Sequence, residues 1–257
     1  LVSGEFNTCG LTPAGAVYCW GENSSGQLGD GTTVTRFSPV RVATDVPFTA
    51  LAAGYYHACG LTATGIAYCW GFDASGQLGD GTVADFRSTP GPIAGSTRLV
   101  ALTAGYWHTC GLTAQGVAQC WGNNNWGQLG DSTRTAHAAA APVLWGATFP
   151  RLAAGGRHSC ALGASGAAYC WGWNGFGQIG DGTTTTLNDR NVRCRSIAKI
   201  EDATVLASDP LDWFAAACPV PAGTSEFDYA GGLRGAPTQV IRSDITGLPY
   251  QIGRAHV

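Results

Sequence analysis

The sequence repeats itself with a period of 50 or 51 residues, and this periodicity limits the fold more than any other feature. Each copy contains two cysteines ten positions apart: Cys9 and Cys19, Cys59 and Cys69, Cys110 and Cys120, Cys160 and Cys170. A period of this length is typical of one supersecondary unit duplicated in a propeller or a solenoid. Positions that are the same in every copy are expected to serve the fold, whereas positions that differ are free to serve function.

Short strands joined by glycine-containing turns are expected in every copy. Glycine accounts for 38 of the 257 residues and charged residues for only 12%, a composition typical of a packed, β-rich chain. The expected strands are 48–53, 57–62 and 66–70 in the second copy, with 39–42 as the fourth strand of the preceding copy. The pattern therefore predicts an all-β fold of four-stranded antiparallel units.

The turn between the second and third strands determines how the cysteines face each other. Residues 62–65 read Thr-Ala-Thr-Gly, which is typical of a hairpin loop closed by a left-handed glycine. With this turn Cys59 lies opposite Cys69, within the Cα distance that a disulfide tolerates. A zinc ion would need four converging ligands, and each copy offers two cysteines. We therefore expect four disulfides within the copies and an oxidising, extracellular or cell-surface location.

Other recurring residues are interpreted as structural, and no metal or cofactor is expected. Tryptophans that follow the second cysteine are expected between neighbouring sheets: Trp20, Trp70, Trp121 and Trp171. Aspartates in the Gly-Asp turns are expected to bond nearby backbone rather than calcium: Asp30, Asp80, Asp131 and Asp181. The recurring histidines are expected to be hydrogen-bonded structural residues: His57, His108 and His158, with Asn7 in the first copy.

The repeated motif Cys-Gly-Leu-Thr, followed by Tyr-Cys-Trp-Gly and Gly-Gln-Leu-Gly-Asp-Gly-Thr, resembles the repeat of the regulator of chromosome condensation family. The resemblance covers about 1–183, with blades near 1–43, 48–93, 99–144 and 149–185. It implies a β-propeller, usually of about seven four-stranded blades, of which these copies would form an open, incomplete ring. The paired cysteines differ from the nuclear members and are similar to bacterial, exported versions.

Beyond the fourth copy the pattern becomes irregular. Residues 186–250 are interpreted as a degenerate fifth blade or an irregular terminus, and the pairing of Cys194 with Cys218 stays open. Residues 251–257 resemble the translation of a sequencing adapter, and both ends of the chain look cut. Because an open arc would expose apolar blade faces, this chain alone is expected to be poorly soluble or oligomeric.

Positions that differ between the copies are expected to gather at one end of the blades. In an antiparallel meander, the connection between strands one and two and the connection between strands three and four emerge at the same end. These connections carry the residues predicted to bind a partner: Tyr56, Phe72, Trp107, Trp126, Arg157, Trp173 and Phe176. Tyr, Trp and Arg dominate protein-recognition surfaces. Tyr55 and Tyr106 lie beside them and are expected either to bind or to pack against the next blade.

These observations favour an exported, non-catalytic module that binds a protein. A carbohydrate-binding or cell-surface adhesion module is the alternative, because exposed aromatic rings also stack on sugars. An enzyme is disfavoured because nucleophile-elbow, metal and phosphate-loop motifs are absent from the sequence. The net charge of −3 gives no electrostatic footprint for nucleic acid. The resemblance also implies guanine nucleotide exchange on a small nuclear GTPase with chromatin binding. This activity is disfavoured, because the sequence lacks a basic tail and the expected disulfides are at odds with the nucleus. No apolar run is long enough to span a membrane.

Overall fold

The computed structural model describes residues 1–144, 147–164, 166–180 and 183–186 of the 257-residue chain. These residues form fifteen strands and no helix. In chain order the strands are β1 (Val2–Ser3), β2 (Asn7–Leu11), β3 (Val17–Gly21), β4 (Arg36–Arg41), β5 (Ala50–Ala53), β6 (His57–Leu61), β7 (Ala67–Phe72), β8 (Phe86–Pro92), β9 (Leu99–Ala104), β10 (His108–Thr113), β11 (Ala118–Gly122), β12 (His137–Pro142), β13 (Arg151–Ala154), β14 (His158–Leu162) and β15 (Ala168–Gly172).

Strands that are consecutive in the chain pair with each other in antiparallel sheets. Blade 1 contains β1–β4, blade 2 contains β5–β8, blade 3 contains β9–β12, and β13–β15 form the described part of blade 4. The first strands lie innermost, because equivalent residues at their ends line one central cavity of about 220 Å³: Gly4, Gly54, Gly105 and Gly155. The all-β, four-stranded propeller architecture predicted from the repeats is confirmed.

The register inside each blade is the one expected from the Thr-x-x-Gly turn. Cys59 pairs with Cys69 across the ladder, and Gly65 has a φ of +81°, which closes the turn in the left-handed region. The same cysteine pairing recurs in the other three blades. Disulfides join all four pairs, with Cα atoms 4.1 Å apart. These sulfurs belong to the buried core of the blades, while Cys194 and Cys218 lie outside the described residues.

Strand boundaries differ from the expected ones by up to three residues, and one difference has a clear physical reason. Strand β5 begins at Ala50, so the expected start at Phe48 is wrong. The Phe48 amide instead donates to the Gly15 carbonyl of blade 1 at 2.9 Å. The Phe48 ring lies 6.1 Å from the Trp70 ring. Phe48 therefore fills the space between blades 1 and 2 rather than extending a ladder.

Adjacent blades are joined by a hydrogen bond that recurs at each blade interface, the name used here for the contact between two consecutive blades. In blades 2 to 4 the buried indole Nε1–H donates to a glutamine carbonyl of the preceding blade: Trp70 to Gln27 at 3.0 Å, Trp121 to Gln77 at 3.0 Å and Trp171 to Gln128 at 2.8 Å. Trp20 differs from the expectation, since it is only partly buried. In the part of the chain that the structure describes, no blade lies before blade 1 to cover it.

Two of the recurring histidines strengthen the later blade interfaces. His57 Nε2 lies 2.9 Å from Thr109 Oγ1, and the Thr109 hydroxyl donates to the Gln77 carbonyl at 3.0 Å. Because that hydroxyl proton is already used, the ring donates its Nε2–H and Nδ1 is left as an unpaired acceptor. His108 bonds Ser159 in the same way at 2.9 Å. Burial lowers the pKa of His57 to about 4 and that of His108 to about 3, so both rings stay neutral at physiological pH.

The interface between blades 1 and 2 lacks this histidine–hydroxyl pair. Asn7 stands at the place of the histidine, and Ala58 stands at the place that Thr109 occupies one blade later. The buried Asn7 Oδ1 has no hydrogen-bond partner. The two replacements are consistent with each other, since an alanine offers no acceptor to a histidine Nε2–H.

Candidate functional site

Two loops meet at one end of every blade, and they carry the predicted binding residues. A backbone hydrogen bond of 2.8–3.0 Å joins the loop after the first strand to a residue at the end of the third strand or directly after it: Glu22 to Phe6, Phe72 to Tyr56, Asn123 to Trp107 and Trp173 to Arg157. The ten large side chains at this end are called the aromatic rim: Phe6, Tyr55, Tyr56, Phe72, Tyr106, Trp107, Trp126, Arg157, Trp173 and Phe176.

Two buried polar side chains shape the loop that follows the third strand. In blade 3, Asn124 Oδ1 accepts the Leu129 amide at 3.0 Å, and its Nδ2 donates to Asp131 at 2.9 Å. Gln128 Oε1 accepts the Trp126 amide at 2.9 Å, which fixes the backbone under the Trp126 ring. Asn23 with Gln27 and Asn174 with Gln178 bond their loops in the same way in blades 1 and 4. The side chains between these anchors are free to differ.

The aspartates of the Gly-Asp turns have the role expected of them in blades 1 to 3. Asp30 Oδ1 accepts the amide and the hydroxyl of Thr32 at 2.9 and 2.7 Å, and Asp30 also pairs with Arg36 at 2.8 Å. Asp80 and Asp131 make the equivalent bonds to Thr82 and Thr133. Asp181 lies outside the described residues.

Blade 2 departs from this pattern at Asp73, which stands where the other blades have asparagine. Its Oδ1 accepts the Leu78 amide at 2.9 Å, but a carboxylate has no N–H to donate toward Asp80. The second oxygen, Oδ2, is buried without a hydrogen-bond partner. Burial, with a smaller contribution from Asp80, raises the pKa of Asp73 to about 6. Asp73 is not among the residues predicted from the sequence, although the change from Asn to Asp in a single copy is visible there.

Rim side chains of blades 1 to 3 contact one another in a continuous row. Tyr56 lies with its ring centroid 6.5 Å from Phe72 and 4.3 Å from Tyr55. Tyr55 contacts Phe6 of blade 1 at 5.4 Å and Tyr106 of blade 3 at 5.1 Å. Burial, and next the hydroxyl of Tyr55, raise the pKa of Tyr56 above its usual value, so the Tyr56 phenol is neutral.

The row continues across blades 3 and 4 through a cation. The Arg157 Cζ atom lies 5.3 Å from the ring centroid of Trp107 and 5.4 Å from that of Trp173. Trp173 in turn contacts Trp126 at 6.1 Å and Phe176 at 5.2 Å. Phe176 is 68% exposed, which is unusual for so large an apolar side chain. The structure thus brings the seven predicted residues into one surface.

Three side chains that complete this row were not among the seven predicted residues: Phe6, Tyr55 and Tyr106. The Tyr106 amide donates to the Gly156 carbonyl of blade 4 at 2.9 Å, and a Cβ atom added to Gly156 would lie 3.0 Å from the Tyr106 ring. Tyr106 therefore packs against the next blade and still remains at the surface. Phe6, Tyr55 and Tyr106 each lie beside a position that differs between the copies, and this placement is the sequence signal that identifies them.

The part of the chain that the structure describes contains neither a metal-binding cluster nor a membrane-spanning helix. No three His, Cys, Asp or Glu side chains are grouped there so that they could hold a metal ion. That part also contains no helix long and apolar enough to cross a bilayer.

Family models match the repeats and also the segment that follows them. Two models described as "Regulator of chromosome condensation (RCC1) repeat" match residues 14–61 and 64–112, and residues 48–77, 99–128 and 151–178, respectively, together more than half of the chain. A third, described as "3-octaprenyl-4-hydroxybenzoate carboxy-lyase Rift-related domain", matches 181–253, of which the structure describes only 183–186. A fifth blade over 186–250 stays a prediction, and this match offers a different interpretation of that segment.

Several solved structures are similar to this chain. Human WBSCR16 is 24% identical with a TM-score of 0.64, over 74% of this chain and 49% of that one. Yeast RCC1 (Prp20) bound to Kap60 is 23% identical with a TM-score of 0.66, over 76% and 48%. Prp20p from Saccharomyces cerevisiae is 22% identical with a TM-score of 0.68, over 76% and 50%. This chain spans about half the length of these structures, and the likeness shows a shared fold. With repeat models matching most of the four blades, the chain belongs to the regulator of chromosome condensation repeat family.

Proposed function

We propose that this chain is an exported, non-catalytic binding module that recognises a protein partner through its aromatic rim. The observation that carries the proposal is the row of rings and one guanidinium that crosses four blades at one end without interruption. Aromatic residues and arginine are the types enriched at the centres of protein interfaces. The residues beneath the rim recur in the copies, while the rim residues differ, as a surface shaped for a particular partner would.

The disulfides support export. Each bridge closes a loop of ten residues, for which a stabilisation of about 2–3 kcal/mol is expected. Disulfides of this kind persist outside the reducing cytosol. A propeller that depends on four of them is suited to an extracellular or cell-surface location.

Carbohydrate is the second candidate ligand, because a sugar ring can stack on an exposed aromatic face. The ring geometry favours a protein. Neighbouring rim rings stand at 84° for Phe6 and Tyr55 and at 69° for Tyr55 and Tyr106, so the edge of one ring covers the face of the next. Arg157 lies over Trp107 and Trp173 as well. In this part of the row, ring faces are thus covered by neighbouring side chains instead of being open to a sugar.

Relatives of the same fold support protein binding at a coarse level. Yeast Prp20 is described as bound to Kap60 and as having binding properties to Gsp1p and histones. Because the identity is 22–23% and about half of each of those chains is covered, these proteins are not proposed as partners of this chain. The match of 181–253 to a carboxy-lyase domain adds no described side chain to the rim, so the proposal rests on the four blades.

The experiment is a binding assay with single-residue variants. The protein is produced in an oxidising compartment, immobilised and exposed to secreted proteins, and the affinity of a captured partner is measured for Trp126→Ala and Trp173→Ala. Truncating a buried aromatic anchor at an interface costs about 2 kcal/mol, which corresponds to about thirtyfold in Kd. We expect both variants to lose binding to that extent while their unfolding curves stay close to that of the wild type.

Gln115→Ala is the matched control, because Gln115 is exposed in the turn at the opposite end of blade 3. Its binding should equal that of the wild type. If both tryptophan variants bind normally and Gln115→Ala loses binding, the interface lies at the end of the blades opposite the aromatic rim, and the proposal is contradicted. Capture of a polysaccharide instead of a protein would favour the second candidate.

A further inference from the structure

Arg157 differs from the other arginines for which the structure gives a partner. Arg36, for example, reaches Asp30 at 2.8 Å. The guanidinium of Arg157 has no acidic partner in the described part of the chain, and its Nε is buried without a hydrogen bond. Its two flanking neighbours are Trp107 and Trp173, at 5.3 and 5.4 Å. The rings cover its faces, whereas the N–H groups along its edge need an acceptor.

A second unpaired donor lies beside it, on Gln178. In blades 1 and 3 the equivalent glutamine amide donates to a polar side chain of its own loop: Gln27 to Glu22, and Gln128 to Asn123 at 2.9 Å. In blade 4 this place is occupied by Trp173, which offers no acceptor. Gln178 Oε1 still accepts the Phe176 amide at 2.8 Å, but no hydrogen bond of its Nε2 is found among the described residues.

Both donors line one surface cavity of about 320 Å³, whose walls are formed by Tyr106, Gly156, Arg157, His158, Trp173 and Gln178. No acidic residue is among them. Burial lowers the pKa of His158 to about 4, so its ring is uncharged at neutral pH and Arg157 supplies the charge of the cavity. The rings of Tyr106 and Trp173 make part of the wall apolar, and a hydrogen bond between a cation and an anion is stronger beside an apolar wall than in bulk water.

We propose that this cavity binds the carboxylate of an Asp or Glu side chain of the protein partner. The inference rests on the proposed function, since the cavity is one end of the aromatic rim. A planar carboxylate can accept two bonds from the guanidinium edge and a third from the Gln178 amide. A phosphate group, with about twice the charge, would be left with only one cation. The partner would therefore present an acidic side chain next to residues that pack on the rings.

The test uses random linear peptides displayed on phage and selected on the intact, disulfide-bonded chain. The selected peptides should carry Asp or Glu at a constant distance from an aromatic residue. A synthetic peptide of the selected sequence, and its version with Asn or Gln in place of the acid, are then titrated by calorimetry. Replacing the acid should weaken binding to the wild type about tenfold to a hundredfold, the range expected for a charge-assisted bond.

The same pair of peptides is titrated against Arg157→Leu, with Arg157→Gln as a second variant that keeps a long polar side chain. In both variants the acid-to-amide change should alter the Kd of the peptide by less than about twofold, because the guanidinium that binds the carboxylate is absent. An equal loss in wild type and variants, or selected peptides without an acid, overturns the inference. Binding of a uronic-acid oligosaccharide that Arg157→Leu abolishes, without any acid-dependent peptide, overturns it as well.

One further variant separates this inference from the proposed function. Trp126 lies on the rim but does not line the cavity. If Trp126→Ala loses the peptide and the peptide's acid proves irrelevant, the rim binds protein and only the carboxylate assignment fails. If neither Trp126→Ala nor Trp173→Ala changes the affinity, the proposed function itself is contradicted.

Discussion

At the blade interfaces the copies place the same tryptophan and glutamine at the same points, whereas at the rim equivalent places hold different side chains. The interface tryptophan of each later blade donates to a glutamine carbonyl of the blade before it. The rim position that precedes the second strand is Phe6, Tyr56, Trp107 and Arg157 in turn. A repeat can thus keep one half of its surface constant for assembly and vary the other half for recognition. The two regions should respond differently to mutation.

The largest effect is expected at the interface between blades 2 and 3. Trp121→Ala removes a fully buried indole and its bond to the Gln77 carbonyl. Such a truncation is expected to reduce the free energy of unfolding by about 3–5 kcal/mol. Urea unfolding measures the loss. Trp20→Ala, at the partly exposed equivalent position of blade 1, should lose clearly less; an equal loss would mean that burial between blades is not the cause.

Removing one disulfide should have the next largest effect. The double variant Cys110→Ser and Cys120→Ser opens a ten-residue loop in blade 3, with an expected loss of about 2–3 kcal/mol. Its unfolding in urea is compared with that of the wild type under oxidising conditions. Peptide mapping without reductant checks the connectivity first. Bridges between different blades, or free thiols in exported protein, would contradict the register of the hairpins.

Asp73 offers a gain instead of a loss. Asp73→Asn restores the amide that Asn23 and Asn124 donate to the turn aspartates of blades 1 and 3. The pKa of Asp73 is raised from 3.8 to about 6 in the folded chain. The free energy of unfolding therefore falls as the pH rises from 3.8 to about 6, because the carboxyl ionises more readily in the unfolded chain. Above about pH 6 the full loss applies. The variant should be more stable by about 2 kcal/mol at neutral pH.

The same variant should equal the wild type at a pH below 3.8, where the carboxyl is protonated in both the folded and the unfolded chain. Thermal unfolding across this range gives the difference directly. A gain that does not depend on pH would show that the Asp73 carboxyl is not the titrating group. Asp45→Asn, at an exposed carboxylate, is the control that should change little.

A smaller loss is expected from Thr109→Val. The change removes the acceptor of His57 Nε2–H and the donor to the Gln77 carbonyl while keeping the side-chain volume. The Gln77 carbonyl keeps its bond from the Trp121 indole, so the buried His57 Nε2–H is the group left unpaired, at a cost of about 1–3 kcal/mol. In the double variant His57→Asn and Thr109→Ala, which copies Asn7 and Ala58 of the first interface, part of the loss should be recovered. Strictly additive losses would mean that the two residues do not act as a pair.

The smallest effect on stability is expected at the rim. Phe176 is 68% exposed, so Phe176→Ala should change the free energy of unfolding by less than about 0.5 kcal/mol. Chemical denaturation measures this against Trp121→Ala as the contrasting variant. A loss comparable to that of an interface residue would show that the rim is part of the folding core, and the distinction between the two regions would fail.

What the sequence could predict followed from local rules. The spacing of Cys59 and Cys69 and the turn that ends at Gly65 determine the ladder register, because turn length sets pairing in a hairpin. The location of Trp107 and Trp173 at one end of their blades follows from the antiparallel meander. Both arguments use only residues of one copy.

What the sequence could not predict depends on contacts between copies. The bond from His57 to Thr109 joins residues 52 positions apart, and only the packing of blade 2 on blade 3 brings them together. The same packing places Arg157 between Trp107 and Trp173. Phe48 was assigned to a strand because its apolar side chain fits one, whereas the bond of its amide to blade 1 removes it from the ladder.

The tryptophan bonds at the blade interfaces all point the same way: the later blade donates its indole N–H and the earlier blade accepts with a glutamine carbonyl. A DNA duplication of one whole repeat would therefore carry a donor for the copy before it and an acceptor for the copy after it. Such an insertion needs no compensating change in its neighbours, whereas a partial copy without the tryptophan or without the glutamine would leave one of these bonds unmade. Each repeat thus carries the donor and the acceptor that tandem duplication requires, and the rim residues of each new copy can diverge.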